Sequence, residues 1–279
     1  MKTLLQSKIL LKTKKNNFKG KSLLFLLVFF FLTSCDFSNR VHRQVLEAQA
    51  LIQEQKYDEA IKEYFKILNR DPPRETKVKV YYQLGDLYSI YLSQNKESIK
   101  YYEKVKEISE DPYWLIKTEE RLGEVSFVYT KDFKKSFESY QKLTLFKPDL
   151  EKKDFYQFRA AVSLFQLEDF KQAKFIFNEI SNSPKHQYKE ESLFYLGQIY
   201  FREQKWEEAI RPFNQFTKIS ENLEKVVQAK FLIANCYETL ENLEKAYMIY
   251  YSLIGIYPNS EVIRNRLESI YKRRIARKR

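Results

Sequence analysis

Cys35 is placed where a side chain can react: it follows two small residues, Thr33-Ser34, at the end of the unbroken apolar run Leu23–Leu32. A thiolate is the strongest nucleophile that stretch contains, and small neighbours leave it accessible. The second cysteine, Cys236, lies beside Ala234 and Tyr237 in a helical apolar pattern and reads as a buried, inert thiol. His42 and His186 are the two histidines, and neither has a Cys or carboxylate at metal-ligand spacing, so neither a metal nor a cofactor is expected. The sequence has no phosphate-cradling glycine loop and no Gly-x-Ser-x-Gly turn. Pairs such as Glu59 and Lys62 sit at the spacing of helix-supporting charges. Enzymatic catalysis is therefore not expected.

The elements that must position the remaining side chains recur along the chain. A small residue returns at Ala60, Ser98, Ser136, Ala173, Ala209 and Ala246, in steps of 36 to 38 residues. Four residues after each stands an aromatic: Tyr64, Tyr102, Tyr140, Phe177, Phe213 and Tyr250. One helical turn places such a pair against the same neighbour. A second series precedes it, with Ala48, Leu84-Gly85, Leu122-Gly123, Ala160-Ala161, Leu196-Gly197 and Ile233-Ala234 at matching offsets. Small residues let two helix backbones approach while flanking rings fill the grooves. Prolines at 72, 112, 148, 184 and 258 close copies, whereas Pro212 falls inside a second helix and should bend it or lie on its outer face. With five glycines in 279 residues, a turn-rich β protein is disfavoured and an all-α array expected.

This pattern resembles the tetratricopeptide repeat family, which places Leu-Gly or Leu-Ala, Tyr, Ala, Phe or Tyr, and Pro at these offsets. The resemblance covers Val41 to Ser260. It implies an all-α, right-handed superhelical solenoid of about six helix-turn-helix repeats, closed by a capping helix. It departs from the family in the turn within each repeat, where the frequent glycine is replaced by Gln, Asn, Lys or Glu. The same resemblance marks an inner face on the first helices. Tyr82, Phe158, Phe194 and Phe231 then form one row, broken by Glu120, and Phe127, Phe165 and Phe201 a second, flanked by Ser89 and Glu238. Either these rings line a groove for protein or peptide partners, or they fill the interfaces between repeats; burial decides between the two.

The leader has its own resemblance. Seven lysines and no acid in residues 1–34, the ten-residue apolar run and Leu32-Thr33-Ser34-Cys35 are similar to the signal peptide and lipobox of bacterial lipoproteins. That resemblance implies a lipid on the Cys35 sulfur, cleavage before it, and an acylated new amino terminus. Ten apolar residues are too few to span a bilayer, which takes about 20. Residues 1–34 then form a signal peptide, 35–40 a lipidated tether, 41–260 the six repeats and 261–279 a basic capping helix. Asp36 admits retention at an inner membrane, although an outer membrane is the favoured address, with the chain facing the periplasm.

The net charge of +12 sits at the ends. Residues 261–279 contribute +6, and removing both ends leaves the repeat body at about −1, so no nucleic-acid cradle is expected. Lys272, Arg273, Arg274, Arg277, Lys278 and Arg279 form a candidate contact for anionic lipid or an acidic partner. The layout resembles that of the repeat lipoprotein of the outer-membrane β-barrel assembly machinery. The expected function is accordingly a lipid-anchored scaffold presenting its groove to envelope proteins. Regulators of cell-wall enzymes, pilotin-type secretin assembly factors and cytoplasmic adaptors are the alternatives.

Overall fold

A computed structural model of the chain describes residues 40–277. Cys35, Asp36, the leader, most of the tether, Lys278 and Arg279 lie outside the described residues. Thirteen α-helices and no strand occur among those described. They are α1 (40–53), α2 (Tyr57–Leu68), α3 (Arg74–Asp86), α4 (Asn95–Ile108), α5 (Pro112–Val125), α6 (Phe133–Thr144) and α7 (Lys153–Gln166). There follow α8 (Phe170–Asn182), α9 (Lys189–Arg202), α10 (Trp206–Ile219), α11 (Leu223–Thr239), α12 (Leu243–Tyr251) and α13 (Ser260–Ala276). Packing divides the described residues into two compact units, meeting in sequence between Leu115 and Ile116, a division that the periodicity does not mark.

The two repeating series form the core of each unit. All six small residues of the second helices are fully buried, and so are the aromatics one turn later, apart from a trace of exposure at Tyr140. Opposite them stand the small residues of the first helices. A methyl group added at Gly85 would lie 2.5 Å from the Tyr102 ring, at Gly123 2.9 Å from Tyr140, and at Gly197 2.5 Å from Phe213. Here glycine is required for space, not for backbone freedom: the ring of the second helix rests on the backbone of the first.

The turns between paired helices solve a chirality problem in the same way each time. Gln55, Ser93, Lys131, Glu168, Gln204 and Glu241 all have φ between 55° and 61°, in the left-handed region, and each lies five residues before the small residue of its second helix. A side chain there costs about 1–2 kcal/mol relative to glycine. Partial compensation follows at the next position in three copies, where Asp132, Asp169 and Asn242 cap the coming helix by accepting from a backbone N–H three residues on.

Copies two and three carry one residue more than the others. Thirteen positions separate Gly85 from Ser98 and Gly123 from Ser136, against twelve from Ala161 to Ala173 and from Gly197 to Ala209. The surplus is absorbed within the first helices, whose last turns widen into π-helix at Leu87–Tyr91 and Ser126–Thr130. A π turn takes in an extra residue without lengthening the loop, so the Tyr102 and Tyr140 rings still rest on Gly85 and Gly123.

Of the two places expected for Pro212, the outer face is ruled out: it is buried inside α10, which continues from Trp206 to Ile219. Among the described residues no helix is long and apolar enough to cross a membrane.

Candidate functional site

None of the seven rings expected on an inner face is fully exposed. Tyr82, Phe165 and Phe194 are buried, and Phe127, Phe158, Phe201 and Phe231 are half-buried. Their neighbours explain why. Tyr82 meets Tyr102 and Trp114; Phe194 packs on Phe213 and Phe216; Phe201 abuts Trp206. Phe158 stacks on Tyr188 at 4.6 Å between ring centres and touches Phe177 and Tyr195. These rings therefore work mainly as packing between helices.

Two members of the second row are also covered by guanidinium groups. Arg159 lies 4.5 Å from the Phe127 ring centre and Arg202 4.5 Å from that of Phe165. Cation–π contacts of this kind contribute about 0.5–1 kcal/mol at exposed sites. What a partner would meet along this row is a cation lying on a ring, not a bare aromatic strip.

The remaining ring, Phe231, leads to an opening. It stacks on Tyr257 at 4.5 Å, and Tyr257 lines a cavity of about 650 Å³ between the start of α11 and the loop joining α12 to α13. Leu223, Val227, Ile256 and Pro258 form its apolar wall, with Glu224, Gln228 and Asn259 at the polar edge. Leu223 is 77% exposed and Ile256 56%, although both are aliphatic. Exposing two such side chains beside one recess forgoes about 1–2 kcal/mol of burial each, which an incoming apolar group would recover. No periodicity points to this recess, because Ile256 and Pro258 lie in a loop.

The basic C-terminus is engaged with the fold. Glu238, 8% exposed, receives the Tyr250 hydroxyl at 3.1 Å and pairs with Arg273 at 3.2 Å and Arg266 at 3.5 Å. Glu241 takes Arg273 and Arg277, Lys272 pairs with Glu268 at 2.6 Å, and Arg274 lies over Tyr247. Each of the four described cations of the expected lipid contact thus has an internal partner. Glu238, aligned in sequence with the aromatic row, instead anchors α13 to α11 and α12.

Two titratable groups are set by burial. The Cys236 thiol is fully enclosed and its pKa is pushed up to about 12, which leaves it protonated. His186 sits in the loop between α8 and α9, where its Nδ1 accepts the Tyr188 N–H at 3.1 Å and Nε2 faces Gln157 at 3.3 Å and Asp154 at 3.5 Å. Burial lowers its pKa and outweighs the pull of Asp154 in the other direction, so the contact with Asp154 is that of a neutral ring rather than an ion pair. No group of three or more His, Cys, Asp or Glu placed to hold a metal ion occurs among the described residues.

Comparison with known proteins supports the repeat assignment. Tetratricopeptide repeat profiles match residues 78–112, 191–220 and 228–260. The chain contains tetratricopeptide repeats. Solved structures of similar fold include a Naa15/Naa10 complex bound to HypK-THB, at 17% identity and a TM-score of 0.64, over 82% of this chain and 33% of that one. Another is the signal-transduction ATPase with a tetratricopeptide repeat sensor from Pyrococcus horikoshii, at 18% identity and a TM-score of 0.56, over 81% of this chain and 38% of that one. The chain therefore spans about a third of the length of each. No curated protein matches it. These tetratricopeptide hairpins form an all-α array.

Proposed function

We propose that this protein is a lipid-anchored scaffold of a bacterial cell envelope that binds segments of partner proteins and catalyses no reaction. The observation that carries the binding half is the unfilled apolar recess beside Phe231 and Tyr257, with Leu223 and Ile256 exposed at its rim. An amphipathic or extended segment with an aliphatic or aromatic anchor suits it, since the walls are apolar and the polar edge offers hydrogen bonds. The anchoring half rests on the leader and on Cys35, with an outer-membrane address favoured and an inner-membrane one admitted by Asp36. Assembly of outer-membrane proteins is the cellular role that fits this layout best. Contact of the basic end with anionic lipid would have to compete with the ion pairs to Glu238, Glu241 and Glu268. Release of delipidated protein from acidic vesicles by moderate salt tests it.

Two experiments test the proposal separately. Labelled fatty acid should enter the wild-type protein in bacterial cells and not Cys35→Ala; equal labelling of both removes the anchor. A photo-crosslinking residue at position 223 should yield discrete adducts that the same residue at Phe175, an exposed position on α8, does not; identical patterns remove the recess as the binding site.

A further inference from the structure

A second groove, on the side of the second helices, carries charges that form no close ion pair within the fold, although Glu208 lies in the field of Lys205. It runs between α8 and α10, floored by Leu193, Leu196 and Tyr200 of α9. A cavity of about 510 Å³ shares Ser181, Asn182, Leu193 and Gln215 with one of about 360 Å³, so the two form one furrow. Glu207, Glu208 and Arg211 stand at one end and Lys189 and Lys218 at the other. None of these five has a salt-bridge partner among the described residues, in a chain where other surface charges are paired freely, as in Lys174–Glu203 and Lys205–Glu203. Asn178, Asn182 and Gln215 place carboxamides along the walls. Pro212, also in the wall, has no N–H to give the carbonyl of Glu208, which is left without its helical donor.

We propose that this furrow binds a short extended peptide segment bearing opposite charges at its two ends. Eleven residues of α10 separate Glu207 from Lys218, about 16 Å at 1.5 Å per residue, and an extended chain covers that in about five residues. Carboxamides and a freed carbonyl match the alternating N–H and C=O groups of such a segment. The basic end of the ligand faces Glu207 and Glu208, and the acidic end faces Lys189 and Lys218. An anionic polymer such as nucleic acid is disfavoured by the two glutamates, and a wholly apolar segment would leave the charges at both ends uncompensated.

The test uses the full chain in detergent and three fluorescein-labelled, amidated pentapeptides: Lys-Ala-Leu-Ala-Glu, its reverse Glu-Ala-Leu-Ala-Lys, and Ala-Ala-Leu-Ala-Ala. Fluorescence polarisation should show one charged peptide binding at least tenfold more tightly than the neutral one. The double variant Glu207→Lys/Glu208→Lys, altered only at exposed positions, should weaken that peptide at least tenfold and prefer a version with Glu at both ends. Leu223→Asp should leave binding unchanged, which separates this furrow from the recess at Tyr257. Equal binding of charged and neutral peptides, indifference to the double variant, or loss with Leu223→Asp each overturns the proposal.

Discussion

At Gly197 two physical effects oppose one another, and their magnitudes decide which wins. Replacing glycine by alanine inside a helix favours folding by about 1 kcal/mol. The added methyl would lie 2.5 Å from the Phe213 ring, which is itself fully buried and unable to swing away. Overpacking of this kind costs about 1–3 kcal/mol. Gly197→Ala should therefore destabilise the protein, by about 1 kcal/mol net in chemical denaturation; an increase in stability would mean that the ring does not rest on this backbone. The tyrosines at the equivalent position differ in their hydroxyls. Tyr102 donates to Asp86 at 2.7 Å, whereas the buried Tyr64 hydroxyl has no partner among the described residues. Tyr64→Phe should be neutral or stabilising, and Tyr102→Phe should cost about 1 kcal/mol. His186 supplies a pH dependence. Its folded pKa is depressed below the ordinary value near 6.5, so the unfolded chain takes up a proton first as pH falls. Its contribution is present above that value and is lost on acidification through the depressed folded pKa. Denaturation midpoints between pH 7.5 and 5.5 should fall further for the wild type than for His186→Gln; parallel curves would contradict the assignment.

Among the elements, α13 depends most on a few side chains. It buries only Ile263 and Ile270 completely, and the carboxylates of Glu238 and Glu241 hold its basic half. Breaking a buried ion pair costs about 3–5 kcal/mol, but Arg266 and Arg273 are more than a third exposed, so about 1–2 kcal/mol is the appropriate scale. Glu238→Gln should speed amide hydrogen exchange in 260–276 while leaving α9 and α10 protected; uniform acceleration, or none, would show that the clamp does not hold this helix. The repeats themselves were legible in the sequence because their signal is redundant: two series of small residues, a trailing aromatic and closing prolines agree on one register. The π turns were not. A one-residue surplus in copies two and three is visible in the spacing, but a longer loop would satisfy it equally, and only the backbone shows where it goes. Nor does a ring's identity reveal its burial. Phe158 and Phe194 have the same character in a groove or an interface, and their partners Tyr188 and Phe216 lie 22 to 30 residues away.

For the whole molecule, side-chain chemistry and architecture point to the same kind of work. His186 and the Cys236 thiol are enclosed by the packing, while exposed apolar side chains and charges without ion pairs collect at the Leu223–Ile256 recess and along the α8–α10 furrow. Both surfaces are shaped to receive a segment of another molecule. Neither site was foreseen from sequence, because each is assembled from a loop or from helices of different repeats. The most direct measurement is a comparison of partners captured in cells by full-length protein and by Leu223→Asp/Ile256→Asp, with melting temperatures taken on the same preparations. Because both positions are exposed, melting should be unchanged, and the proteins crosslinked to the wild type should be depleted at least tenfold with the variant. An unchanged set of captured proteins at unchanged stability would show that partners do not enter through this recess.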